Sequence, residues 1–505
     1  MMNYFVSENV FTFNSGTEHA QAKRVQLFTE QGQSAQYVTR NYNRFLARDA
    51  EAIGLHAEQV LNMYDFFQGV TDVPREEVSL RLLPQIPLDE YHIEGHGPNY
   101  STINHAGREL ARINVMPATV GLVNDIVYYD RYGNTTAREN FDWRGFKSSV
   151  DYFHPDGNLA VQKMLNLAGE TVIEISHMKV NGTLYPTMWK LLNYKGHDWR
   201  FNTEDQLFLF FLNEITAEHP GSTLVSDRRS LDHVVADVQF SAKKLAVLHD
   251  IHTPDIKNPI RGKLYDAYLN VLERRVRDFD AILVPTPEQQ ADLQKRYPGV
   301  DFRVVPDTFV PQAQLAAPRL RLPDRQAGNI LFMGRLSPEK RPDQAIRALA
   351  RVVKSVPSAT LTFHGYPANA EILNELKALA NQLGVTNSVI FGDYITGDAL
   401  AAAYQRAQVI VQTSVAEGFG MNLVEAMSYG VPVVSYDITY GTRELIHDGV
   451  NGYVVANGAH GEMADRIVSI LSDDGVWADL SAAAYDKAVT FNGQAMMAAW
   501  QQALQ

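Results

Sequence analysis

From Asn329 to Tyr436 short apolar runs recur at steady intervals: Ile330 to Met333, Thr360 to Phe363, Val389 to Phe391, Val409 to Gln412 and Val433 to Tyr436. Runs this short and continuous predict strands buried on both faces. The gaps carry helical stripes, the first being Ile346, Leu349 and Val353. Alternating strands and helices leave few folds open, because parallel strands need crossover helices on the faces of their sheet. A doubly wound α/β domain is therefore expected over 327–488, with its ligand beyond the carboxyl ends of the strands.

The beginning of the chain repeats this theme. Asn3 to Val6 reads as a buried strand, and Ser15-Gly16-Thr17-Glu18 has the S-x-x-E form of a capping box. Ala22, Val25 and Phe28 follow at helical spacing, Gly32 ends the helix, and Ala35 to Thr39 is a second strand. From about Leu88 to Tyr194 the pattern becomes antiparallel: alternating runs such as Val127 to Tyr129, Val161 to Met164 and Val172 to Ile175 are separated by Gly133, Gly157 and Gly182 turns. A β-meander inserted at 88–195 is expected.

The α/β rhythm then returns. Gln206 to Ile215 and Leu264 to Phe279 read as helices; Thr223 to Val225, Lys244 to Leu248 and Ala281 to Val284 read as strands. Asp301 to Ala327, rich in Pro, Arg and Gln, reads as a connection. The expected architecture is two doubly wound Rossmann-like domains facing a cleft. The N-terminal domain covers 1–313 and carries the meander, and a final helix within 489–505 can lie on either domain.

A net charge of −13 argues against nucleic-acid partners and anionic membrane surfaces. The lack of cysteine excludes disulfides, thiolate catalysis and Cys-based zinc sites. The N-terminal MMNYFVSENV does not have the form of a signal peptide. Apolar runs such as Leu207 to Leu212 fall far short of the ~20 residues that span a bilayer. A cytoplasmic protein, at most peripheral at a membrane, is expected.

The chemistry concentrates at Glu417-Gly418-Phe419-Gly420-Met421-Asn422-Leu423-Val424-Glu425. Glycines beside an acid suit a loop whose backbone N–H groups approach a ligand. A helix from Met421 to Tyr429 follows and stops at Gly430-Val431-Pro432. After the strand Ile330 to Met333, Gly334 permits a sharp turn, and Arg335 and Lys340 supply the charge that a diphosphate requires. Taken alone, these two cations are better explained as solvated side chains of a loop.

Together, GRLSPEKRPDQAI and SVAEGFGMNLVEAMSYGVPVV resemble the retaining glycosyltransferases of family 4, which have the GT-B fold. The resemblance implies that Glu417, with the backbone of Gly418, Phe419 and Gly420, holds the donor sugar. Glu425 would take the ribose hydroxyls, the N–H groups of Asn422 and Leu423 would face the β-phosphate, and Arg335 and Lys340 would neutralise the departing diphosphate. No metal or other cofactor is implied, and the acceptor would attack on the front face, assisted by the leaving diphosphate. NSGTEHAQAKRVQLF, the meander and the chain length resemble the glycosyltransferase A subunits of the accessory secretion system, which O-glycosylate serine-rich repeat adhesins. On that resemblance Gly16, Thr17, Glu18 and His19 contact the nucleotide diphosphate, His249 contacts the sugar, and Tyr394 lies near the uracil.

Local explanations compete with these roles. The capping box accounts for Glu18, and a strand-end histidine such as His249 can be a core residue. His249 and His252 lack an evident third metal ligand. Asp278-Phe279-Asp280 matches a metal-binding D-x-D but falls between a helix and a buried strand. The expected activity is transfer of N-acetylglucosamine or glucose from its UDP-sugar to Ser/Thr of a serine-rich adhesin. The meander would serve a polypeptide acceptor, a second copy or a non-catalytic sister subunit. The alternatives are a poly(glycerol-phosphate) α-glucosyltransferase of wall teichoic acid and, in another class, the non-catalytic partner subunit itself.

Overall fold

The computed structural model describes residues 1–76, 83, 86–87, 89–241 and 243–505. The start expected for the meander, at Leu88, lies outside these residues. Two compact units are present. One comprises Met1–Thr12, Ser34–Leu224 and His233–Ala242; the other comprises Phe13–Gln33, Val225–Asp232 and Lys243–Gln505. Three stretches that precede residue 313 belong to this second unit.

In the first unit Asn3–Ser7 pairs in parallel with Ala35–Thr39, which pairs in parallel with Val60–Asn62. In the second, Lys243–Val247, Ala281–Val284 and Phe302–Val304 are parallel neighbours. Thr223–Ser226 is a further, fully buried strand. The strand Phe302–Val304 corrects the reading of 301–327 as connection only: Phe302 is buried and pairs with Ile282. Leu264–Phe279 is not one α-helix. It is broken into 3₁₀ turns at Asp266–Tyr268 and Val276–Asp278 around a π-helical turn at Asn270–Arg274. Leu264, Tyr268, Val271, Leu272 and Phe279 are its buried positions.

The meander is a ten-stranded antiparallel sheet running from His92–His96 to His197–Phe201. At its Asn181-Gly182 hairpin both turn residues have positive φ, 52° and 82°, as a two-residue turn between twisted strands requires. The sheet passes the expected end at 195, because Lys195 (φ 51°) and Gly196 (φ 79°) form another such turn and Tyr194 pairs with His197. Lys-Gly is a weaker turn signal than Asn-Gly, so this last hairpin is not legible in the sequence. Ile173, Ile175, Trp189 and Leu191 form a buried face of the sheet, and the Trp189 indole donates to the Tyr64 hydroxyl at 3.2 Å.

The second unit also holds a six-stranded parallel sheet: Val389–Gly392, Thr360–His364, Asn329–Met333, Val409–Gln412, Val433–Tyr436 and Gly452–Val455, in that order. Ile330, Phe332, Phe363, Val409 and Val434 pack with Ile346 and Leu349 of the helix Pro342–Ser355 and with Met463 and Ile467 of His460–Ser472. Each such side chain contributes about 1.5–3 kcal/mol on burial. The edge strand Gly452–Val455 is the one that apolar runs did not indicate; Tyr453 and Val454 are only half-buried. The last helix, Gly493–Ala503, sets Trp500 edge-on to Phe28 at 5.7 Å and beneath the Arg24 guanidinium.

Candidate active site

The second unit contains every candidate site residue. Its centre is the loop after the strand Val409–Gln412. Gly420 adopts φ 97° and starts the helix Met421–Ser428. Gly418 has no room for a side chain: a Cβ there would strike the His249 carbonyl oxygen and come within 2.7 Å of the Asp250 Cα. Phe419 and Leu423 are core residues and anchor the loop from below. Only the backbone of Phe419 remains for a ligand. The Asn422 amide group donates to the Met333 carbonyl at 2.9 Å, tying the helix start to the end of a neighbouring strand. The Leu423 backbone N–H donates to the Gly420 carbonyl at 3.0 Å within the first helical turn.

Glu417 gathers donors. Its Oε1 accepts from the Lys340 ammonium, from Gln412 Nε2 at 2.9 Å and from Ser414 Oγ at 2.7 Å. Burial opposes the charge on Lys340, but Glu417 and then Asp250 outweigh it and hold the ammonium above its ordinary pKa. Lys340 is thus a fixed cation at a strand's carboxyl end. Arg335, after the turn at Gly334 (φ 151°), is exposed and pairs with Glu339 four residues along.

The helix Gly16–Glu30 brings a second set. Glu18 accepts from the Ser15 N–H at 2.8 Å and the Ser15 hydroxyl at 2.7 Å, and pairs with Arg228. The capping box occupies this carboxylate and leaves ligand contact to the backbone of Gly16 and Thr17. Gly16 faces Met421: a Cβ on it would lie 3.7 Å from the Met421 sulfur. His19 and Lys23, four apart and so on one helix face, reach different partners. His19 Nε2 bonds the Tyr394 hydroxyl at 2.7 Å, and that hydroxyl also accepts from the Asn14 N–H at 3.3 Å. Burial holds His19 below its ordinary pKa. Phe13, Tyr366 and Tyr394 pack as an aromatic trio with centroids 5.6–5.9 Å apart.

Lys23 Nζ donates to Glu425 Oε1 at 2.6 Å and to the Thr308 hydroxyl at 3.1 Å, while the Tyr404 hydroxyl donates to Glu425 Oε2 at 3.0 Å. Burial alone would raise the Glu425 pKa; Lys23 overrides it, and the carboxylate titrates below its ordinary range.

His249 follows the strand Lys243–Val247 and is held at both ring nitrogens. Nδ1 lies 2.8 Å from Asp307 and Nε2 lies 2.8 Å from Asp227, which in turn accepts from Arg24 at 2.9 and 3.0 Å. Burial disfavours a charged ring, but Asp307 and Asp227 outweigh it and raise the His249 pKa. Both ring nitrogens thus face carboxylates, which hold the ring in place. His252 Nε2 bonds the Pro259 carbonyl at 2.9 Å, and Asp280 accepts from the Lys244 N–H at 2.7 Å, so both have local structural partners. Among the described residues no group of three His, Asp or Glu side chains is disposed to hold a metal.

Lys23, Asp227, Asp307, Tyr404, Phe13 and Tyr366 were not singled out from the sequence. A signal existed for Lys23 in its spacing from His19. Asp227 and Asp307 come just after strands, where ligands and their supports collect. A cavity of about 320 Å³ in the first unit, lined by Asp65, Arg75, Trp143 and Arg144, shares no residue with this constellation.

Residues 322–487 match the family described as glycosyl transferases group 1. The chain is 22% identical over 469 residues to the UDP-N-acetylglucosamine–peptide N-acetylglucosaminyltransferase GtfA subunit of Streptococcus pneumoniae, covering 90% of this chain and 88% of that one. It is 28% identical over 282 residues to the poly(glycerol-phosphate) alpha-glucosyltransferase of Bacillus subtilis, covering 55% of this chain and 40% of that one. The pneumococcal O-GlcNAc transferase GtfA, solved with UDP and GlcNAc, superposes with a TM-score of 0.83 at 18% identity, covering 100% of this chain and 98% of that one. A chain of the GtfA/B complex gives 0.78 at 19%, covering 100% and 99%. The fold is GT-B.

Proposed function

From the premise that this is a GT-B chain with a group 1 glycosyl transferase domain, homologous to GtfA subunits, we propose a retaining transfer of N-acetylglucosamine or glucose from a UDP-sugar to Ser/Thr hydroxyls of a serine-rich polypeptide. The observation that carries the donor half is the convergence of Lys340, Glu417 and the start of the helix Met421–Ser428 with Gly16 and Lys23 of the helix Gly16–Glu30. A departing UDP gains negative charge. Lys340 and the helix N-terminus are fixed before the reaction, so they stabilise that charge without reorganising. The acceptor hydroxyl attacks on the face the diphosphate leaves and passes its proton to a diphosphate oxygen. No metal takes part.

Support for a polypeptide acceptor is that sequence similarity to the GtfA subunit runs along 90% of the chain, whereas sequence similarity to the Bacillus subtilis poly(glycerol-phosphate) enzyme covers 55% of it. The meander's edge strands, His92–His96 and His197–Phe201, suit addition of an extended acceptor, a sister subunit or a second copy. Such an enzyme works in the cytoplasm, at most peripheral to the membrane. Among the described residues no helix is long and apolar enough to cross one. Purified protein offered UDP-GlcNAc or UDP-glucose with a serine-rich peptide, or with poly(glycerol phosphate), tests the proposal by mass spectrometry of the acceptor. Sugar on the peptide supports it; sugar only on the polymer overturns the acceptor.

A further inference from the structure

Asp250 is absorbed by none of the roles above. It stands three residues beyond the strand Lys243–Val247, at a carboxyl end, and its Cα is held against Gly418 so closely that no Cβ fits between them. This places its carboxylate beside Glu417 and Lys340 rather than beside Glu425, which lies eight residues further along with Lys23 and Tyr404. Asp250 keeps part of its surface open to solvent although protein packs around its carboxyl group, which accepts a hydrogen bond from the Ile251 N–H at 2.7 Å. The backbone is pinned twice, by Gln289 Nε2 on the Asp250 carbonyl at 3.0 Å and by the Tyr268 hydroxyl on its N–H. A rigid backbone thus presents a carboxylate with acceptor capacity to spare.

The charges around it select the ligand. Burial and Glu417 raise the Asp250 pKa to about 6, Lys340 opposes them and Asp307 adds to the rise; the Tyr265 and Tyr268 hydroxyls face the same carboxylate, and His249 precedes it. A second carboxylate here repels a diphosphate. It suits neutral hydroxyl donors, which both carboxylates can receive together.

We propose that Asp250 is a sugar-specificity residue, its carboxylate accepting hydrogen bonds from hydroxyls of the transferred hexose opposite Glu417 while leaving the nucleotide untouched. The proposal rests on the UDP-sugar donor reading. It implies a division within one site, with hexose affinity set by Asp250 and Glu417 and nucleotide affinity set elsewhere.

The test compares wild type with Asp250→Asn and Asp250→Ala by initial rates on UDP-GlcNAc and UDP-glucose, by the inhibition constant of UDP, and by melting temperature. Asp250→Asn is expected to lower kcat/KM for the UDP-sugars about 100-fold, with KM bearing part of it, and to leave UDP inhibition within about twofold. The wild-type kcat/KM should fall as pH drops through about 6, where Asp250 becomes protonated, and this limb should vanish in the variant. A kcat/KM within about threefold of wild type, or an equal loss of UDP affinity in a stably folded variant, overturns the proposal. If Asp250→Asn does not fold, the same outcomes are read from Asp250→Ala. Wild type that neither binds UDP nor turns over UDP-sugars overturns the donor reading and this inference together, whereas intact wild-type turnover with insensitive variants overturns this inference alone.

Discussion

Lys23 and Glu425 form an ion pair of 2.6 Å although 402 residues separate them, and both side chains are about three-quarters buried. The pair holds in its ionised form the carboxylate proposed to receive the ribose. Lys23→Met should leave that buried acid without its cation and weaken UDP binding by about 1–2 kcal/mol, roughly five- to thirtyfold. Isothermal calorimetry with UDP reads this directly, and unchanged affinity would remove Lys23 from the site.

The helix face that carries Lys23 also carries His19, which meets the hydroxyl of Tyr394. Tyr394→Phe should keep the aromatic trio and lose only the bonds to His19 and Asn14, with a modest loss of affinity. Tyr394→Ala, removing the ring against which a base can stack, should cost about 1–3 kcal/mol in UDP binding. Equal effects of the two variants would locate the base elsewhere.

How much of this was legible in the sequence follows from the range of the interactions. Strands such as Val409–Gln412 and Val433–Tyr436 match their apolar runs residue for residue, because burial on both faces writes itself into consecutive positions. The Glu417 loop was legible because its glycines serve local backbone needs. The partners of Glu425 and His249 were not, since Lys23, Asp227 and Asp307 lie far off in the chain and only the fold brings them together. The partner of Arg335, by contrast, is local: Glu339 lies four residues away.

Asp307 and His249 make a prediction about stability. The folded-state pKa of His249 is raised, so its contribution is fully present below the unfolded-state value and is lost as pH rises through the folded one. Asp307→Asn should therefore lower the melting temperature more at pH 6 than at pH 9. The penalty at pH 6 should approach about 3 kcal/mol, as for breaking a buried pair. Thermal scans at the two pH values check it, and equal shifts would contradict a charged His249.

Charge stabilisation of the leaving group is assigned to Lys340 and a helix N-terminus, so millimolar EDTA should leave sugar transfer unchanged, and added magnesium or manganese should not raise it. Restoration of a lost activity by either metal would contradict the assignment.

The account rests most heavily on the pair Lys340–Glu417. Its most direct test is UDP release from UDP-GlcNAc and UDP-glucose by wild type, Lys340→Ala and Glu417→Gln, all confirmed as folded. The account predicts release by wild type on at least one donor and a fall of about 100-fold or more in each variant. No release by wild type, or undiminished release by both variants, would contradict it.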